Sequence, residues 1–182
     1  MNRENARKAP RPLDRARMEE LALAYVARFS TSAAKLEDYL KRKLRERGWD
    51  GDGPAPVRAT VERYVELGYI DDAAFAASRT GSLLRRGYGA RRIGQALHAA
   101  GIDEETREQV RAGLAEQRQA ALACARKRRL GPFGAPVGDR SAREKQVAAM
   151  LRAGHPLDSA RFLVDAPSVE AAEIWAECTE ED

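Results

Sequence analysis

Five arginines, Arg79, Arg85, Arg86, Arg91 and Arg92, crowd around the run Gly87-Tyr88-Gly89. A guanidinium is a rigid fork of donors, suited to phosphate and carboxylate alike. A tyrosine between such forks can stack on a base or pack on a protein surface. The flanking glycines lack a Cβ and let the backbone approach a partner closely. Two further basic runs carry the same chemistry. One is Lys41-Arg42-Lys43 with Arg45 and Arg47; the other is Arg126-Lys127-Arg128-Arg129. Any single run reads equally well as a solvated helix face. Three together point to binding of a polyanion or an acidic protein surface.

Catalytic chemistry finds little support. His98 and His155 have no Cys or carboxylate at ligand spacing, and Cys124 and Cys178 are isolated, so no zinc pattern is present. Asp71-Asp72 could serve as an acid–base pair or hold Mg²⁺, but a helix cap accounts for them without a further partner. Gly87-Tyr88-Gly89 lacks the following Lys and Ser/Thr of a phosphate-cradling loop. The reading is therefore a binding protein: not an enzyme, with no cofactor and no metal.

The chain has 182 residues, 33% of them charged, and a formal net charge of +4. Ala, Leu, Arg and Glu dominate, which favours helices in water. No apolar run reaches the roughly 18 residues of a membrane span. No apolar signal segment opens the chain, and the two separated cysteines suit a reducing compartment, so a cytoplasmic location is expected. The charge is unevenly placed. Residues 169–182 hold six acids and no base, which leaves +10 on residues 1–168.

Helical patterning places these motifs. Met18, Leu21, Ala22, Tyr25, Val26 and Phe29 recur on one helical face. Ser30-Thr31-Ser32 stops that helix and caps a second, striped by Leu36, Leu40 and Leu44 and ending at Gly48-Trp49. After a Gly/Asp/Pro loop, Val57, Val61, Tyr64 and Val65 mark a third helix, stopped by Gly68. Asp71 or Asp72 caps the next helix. Residues 106–129 hold one glycine and no proline, so the helix after Asp103 is expected to run on unbroken. Arg126–Arg129 end it before Gly131-Pro132. Ser141 with Glu144 offers a capping box, and Val147, Met150, Leu157, Ala160 and Leu163 complete the pattern.

Gly48, Gly101 and Gly154 are each 53 residues apart. Leu44, Leu97 and Met150 precede them by four positions; Val57, Val110 and Leu163 follow by nine. This spacing predicts an internal repeat of helix, helix, glycine corner, helix. The expected fold is all-α, with three tandem three-helix, helix-turn-helix-like repeats forming an elongated, curved body. Their expected ranges are 18–70, 71–116 and 117–167. Residues 1–17 read as a basic disordered tail, and 168–182 as an acidic tail that frays rather than docks.

The string Leu67-Gly68-Tyr69-Ile70-Asp71-Asp72, Phe75-Ala76, Arg86-Gly87, Arg91-Arg92-Ile93, Leu97 and Gly101-Ile102 resembles the central motif of the RecX family, regulators of the bacterial recombinase RecA. The likeness is strongest over residues 18–115. His155-Pro156 departs from it, because an aromatic or aliphatic residue usually follows that glycine. The resemblance implies a monomeric, cytoplasmic regulator of DNA repair, recombination and the SOS response. It would bind RecA and RecA filaments on single-stranded DNA, lodge along the filament groove and lower recombinase and ATPase activity. Its candidate contacts here are Lys41, Arg42, Arg45, Arg79, Arg85, Arg86, Tyr88, Arg91, Arg92, Arg126, Lys127, Arg128 and Arg129. The alternative is a helix-turn-helix transcription factor reading duplex DNA, with Arg91, Arg92 and Gln95 on its recognition helix.

Overall fold

The computed structural model describes residues 11–135 and 138–178. Among these are ten α-helices, one short 3-10 turn at Gly131–Phe133, and a single bridge between Leu13 and Trp49 in place of any sheet. The contacts divide the chain into two units, Met1–Phe75 and Ala76–Asp182.

In the first unit Asp14 opens α1 (Arg15–Arg28) by accepting the Arg17 N–H at 2.9 Å. Ser32 does the same for α2 (Ala33–Arg47) through the Lys35 N–H. Met18 and Ala22 from α1 meet Leu36 and Leu40 from α2. α3 (Val57–Glu66) closes this core with Val57, Val61 and Tyr64, and Ile70 seals its end. The outer positions of the sequence stripes behave differently. Phe29 is 48% exposed and Val65 45% exposed, so neither is core.

Order begins earlier than the expected tail boundary at residue 17. Leu13 is fully buried; its N–H donates to Gly48 O, and its carbonyl accepts from Asp50 N–H. The Gly48 carbonyl, at the end of α2 where no helical donor follows, takes the Leu13 N–H instead. The rest of the basic tail call, residues 1–10, lies outside the described residues. Both acidic residues of Asp71-Asp72 act as caps. Asp71 accepts from Ala74 N–H at the start of α4 (Asp72–Arg85), while Asp72 reaches Ala33 N–H at the start of α2, at 2.9 Å.

The second unit holds the rest of α4, then α5 (Ala90–His98), α6 (Glu104–Gln109), α7 (Leu114–Arg128), α8 (Arg140–Ala153), α9 (Leu157–Asp165) and α10 (Val169–Glu177). Its main core joins Ala121, Leu122 and Ala125 of α7 to Val147 and Met150 of α8 and Leu163 and Val164 of α9. Leu83, Ile93, Leu97 and Ile102 are buried around α4 and α5.

Gly48, Gly101 and Gly154 all adopt positive φ, at 81°, 73° and 97°. Each ends a helix as the repeat spacing requires. Four of the six apolar positions are buried, and Leu44 packs half-buried against the first core. Val110 sits half-buried at the end of α6, which buries no side chain.

Three expectations about helix ends are corrected here. Asp139, accepting the Ala142 N–H at 2.7 Å, caps α8 in place of a Ser141–Glu144 box. The helix after Asp103 does not run into the next one: α6 stops at Gln109, and Glu116 accepts the Gly113 N–H at 3.0 Å, starting α7 afresh. The C-terminal segment is not a frayed acidic tail through Glu177. Ser168 caps α10, and Ala172 and Ala176, one turn apart, are buried. These small residues let α10 lie close on α7. Trp175 stacks on Phe162 at 5.0 Å, and Gln119 of α7 donates to the Ala176 carbonyl at 3.1 Å. Residues 179–182 lie outside the described residues.

Candidate interaction surface

The densest basic stretch is a helix corner built from backbone hydrogen bonds. Gly87, at φ 80°, reverses the chain after α4, and Tyr88 N–H returns to Leu83 O at 3.0 Å. Gly89 then starts α5, with its N–H donating to Ala153 O at 2.9 Å. A Cβ on Gly89 would sit 2.4 Å from the Gly154 carbonyl, and one on Gly87 would sit 2.8 Å from Cys124 N. The two glycines are therefore buried against the protein's own backbone. The expectation that they admit a partner's approach is corrected: their missing side chains admit α7 and the α8–α9 corner instead.

That crossing brings two of the three basic runs together. Arg79, Leu83, Arg86, Tyr88, Arg92 and Gln95 line a cleft of about 310 Å³. A second cleft of about 260 Å³ lies beside it, lined by Arg86, Gly87, Tyr88, Cys124, Lys127 and Arg128. Arg86 and Tyr88 form their common wall, the guanidinium lying 5.4 Å from the ring centroid. No carboxylate lines either cleft. Among the described residues, Arg79, Arg86, Arg92, Lys127 and Arg128 form no ion pair; Arg128 donates one hydrogen bond to Ala149 O. Five like charges lining two adjoining clefts, without counter-charges among the described residues, are chemistry suited to anionic groups.

The other candidates are placed elsewhere. Arg91 turns away from Arg92 and donates to Leu151 O, tying α5 to the end of α8. Successive helical residues diverge by about 100°, so adjacent arginines serve different faces. Arg85 lines a separate groove with Leu84 and Gln119. Arg126 pairs with Glu173 of α10 and lies over the Phe133 ring. Arg129 adopts a left-handed φ of 54° at the end of α7.

In the first unit, Lys41 pairs with Glu37 at 2.7 Å, and Arg42 with Glu46 at 3.8 Å. Arg45 is exposed and forms no ion pair among the described residues. The Lys43 ammonium holds the Glu46 carboxyl below its ordinary range. The candidate set omits an aromatic array here. Tyr25 stacks on Tyr39 at 4.3 Å and tilts against Phe29 at 5.3 Å, with Arg28 over Phe29 and Arg42 and Lys43 over Tyr39. The i, i+4 pair Tyr25–Phe29 was the local signal for it, but the same spacing also fits a core stripe.

His155 is the residue of the corner that local reasoning passed over. It is 4% exposed, and its Nε2 lies 3.1 Å from Gly87 O. Burial pulls its pKa below the ordinary 6.5; the Gly87 hydrogen bond opposes this, and the Arg128 charge reinforces it. A depressed folded pKa means that the unfolded chain takes the proton first as pH falls. Stability from this group is thus complete above 6.5 and declines as pH drops through that value toward the folded pKa. Urea unfolding at about pH 7.5 and about pH 5.5 should show a loss at the lower pH that His155→Gln lacks. Equal losses in both proteins would assign the acid sensitivity to other groups.

Among the described residues, no group of three or more His, Cys, Asp or Glu could hold a metal ion, and no helix is long and apolar enough to cross a membrane. Residues 71–110 match the family model for the second three-helix domain of RecX. A regulatory protein RecX of Myxococcus xanthus (strain DK1622) is 31% identical over 172 residues, covering 90% of this chain and 92% of that protein. A regulatory protein RecX of Agrobacterium fabrum (strain C58 / ATCC 33970) is 31% identical over 149 residues, 79% of each chain. The crystal structure of RecX from Lactobacillus salivarius shares the fold, with a TM-score of 0.60 at 18% identity, over 82% of this chain and 93% of that one.

Proposed function

Because the chain belongs to the RecX family of regulatory proteins, we propose that it binds RecA and RecA filaments on single-stranded DNA and inhibits their recombinase and ATPase activities. The observation that carries this reading is the pair of clefts sharing Tyr88, where five cations meet no carboxylate among the described residues. Phosphates of a DNA strand and carboxylates of a filament protomer are both ligands of that chemistry. The stacked Tyr25–Tyr39 pair and its overlying cations give the first unit a face suited to single-stranded bases. Inhibition needs no bond chemistry. Occupying a filament groove excludes a second DNA and favours protomer states that neither hydrolyse ATP nor exchange strands. The protein acts as a monomer in the cytoplasm, within DNA repair, recombination and the SOS response. The helical sets covering 18–70, 71–116 and 117–167 serve as successive binding modules.

The duplex-reading alternative requires the N-terminal end of α5 to enter a major groove. That end packs against residues 153–155 instead, with Gly89 N–H on Ala153 O and Arg91 N–H on Gly154 O. Competition among random single strand, random duplex and RecA-coated strand separates the readings. The RecA-coated strand should win. Preference for duplex would favour the transcription-factor reading.

A further inference from the structure

The two peptide groups flanking Tyr88 are held from the same external corner. On one side His155 Nε2 lies 3.1 Å from the Gly87 carbonyl oxygen. On the other, Gly89 N–H donates to Ala153 O at 2.9 Å. A carbonyl only accepts, so Nε2 must carry the proton. The ring is buried, which disfavours its charged form, and Arg128 of α7 faces it with a like charge. The other groups at this corner are the Cys124 backbone against Gly87 and the Arg92 backbone against Gly154. Neither supplies a second donor for the Gly87 oxygen. The Gly87–Tyr88 peptide is thus held at both ends, its N–H by Leu83 O at 3.0 Å and its carbonyl by His155, and Tyr88 is the wall that both basic clefts share.

We propose that His155 is a positioning residue for ligand binding: as the neutral Nε2–H tautomer it donates to the Gly87 carbonyl and holds Tyr88 between the two basic clefts. It touches no ligand itself. Without the donor, the Gly87 oxygen is a buried acceptor lacking a partner, and rotating that peptide to recover one turns Tyr88 and Arg86 out of their shared wall. This inference rests on the reading that the Tyr88 clefts bind a filament strand, and it adds a residue that the basic pattern does not contain.

The test compares His155→Gln, whose amide N–H can occupy the Nε2 position, with His155→Leu, which fills similar space without a donor. Affinity for labelled oligo-dT, bare and RecA-coated, is measured beside the thermal midpoint. His155→Leu should bind both ligands about tenfold more weakly, while His155→Gln stays close to wild type. Wild-type affinity in folded His155→Leu, or a Gln variant as weak as the Leu variant, overturns the proposal. Imidazole ¹⁵N shifts of the wild-type protein near neutral pH decide the matter if His155→Leu does not fold. The neutral Nε2–H tautomer is expected; an Nδ1–H tautomer or a charged ring overturns it. If wild type binds neither ligand, the filament reading fails, and the nitrogen shifts still report on the Gly87 contact.

Discussion

Replacing Gly89 by alanine should lower the stability of the second unit by about 1–3 kcal/mol, or more. The added Cβ would lie 2.4 Å from both the carbon and the oxygen of the Gly154 carbonyl and 2.5 Å from His155 N. These are backbone atoms, so no side chain can swing aside, and the two corners must separate. Separation also breaks the Gly89–Ala153 hydrogen bond and draws His155 away from the Gly87 carbonyl. Gly94→Ala is the matched control. It lies within α5 with nothing within 4 Å of its missing Cβ. Alanine there should stabilise by roughly 0.5–1 kcal/mol through helix propensity. Urea denaturation followed by circular dichroism reads both midpoints. An unchanged midpoint for Gly89→Ala would mean that the corners do not touch as described.

The second large effect separates two neighbouring arginines. Arg86→Ala with Arg92→Ala removes one cation from the shared wall and one from the first cleft, leaving every buried side chain in place. If both contact phosphates, single-strand affinity should fall about tenfold or more, and the log–log salt slope should drop by about 1.4, at roughly 0.7 per contact. If both contact carboxylates on RecA, bare-strand binding should hold while binding to the coated strand weakens. Arg91→Ala should do neither, because its guanidinium is engaged with the Leu151 carbonyl. Salt titrations on bare and coated strands distinguish these outcomes. Wild-type behaviour of the double variant on both ligands would remove the clefts from the interface.

Much of this was legible in local sequence where one physical requirement dominated. A left-handed turn at Gly48, Gly101 and Gly154, the Asp71 cap and the burial of Leu97 each follow from short-range pattern. The docking of α10 did not, because its charges dominate composition, while the spacing of Ala172 and Ala176 carries the packing. The break between α6 and α7 was hidden in the same way: Gly113 is a single residue, and its effect depends on the Glu116 side chain returning to it. The site shows the same division. Residue type alone nominated Arg86, Tyr88 and Arg92 for the candidate site. Bringing Lys127 and Arg128 beside them requires Gly87 to pack on Cys124, a contact between residues far apart in the chain. The same distance concealed His155, whose partner Gly87 lies in another helical set. Arg91 and Arg126 looked equivalent to their neighbours by type, and their orientation engages them within the protein.

Filament regulation through the Tyr88 clefts is tested most directly by RecA-dependent ATP hydrolysis on single-stranded DNA with increasing amounts of this protein. Wild type should lower the hydrolysis rate in a saturable manner. The triple variant Arg86→Ala, Tyr88→Ala, Arg92→Ala, with its helical spectrum and melting midpoint retained, should inhibit far less at equal concentration. No effect of wild type on RecA would contradict the proposed function, and full inhibition by the folded triple variant would contradict the placement of the site.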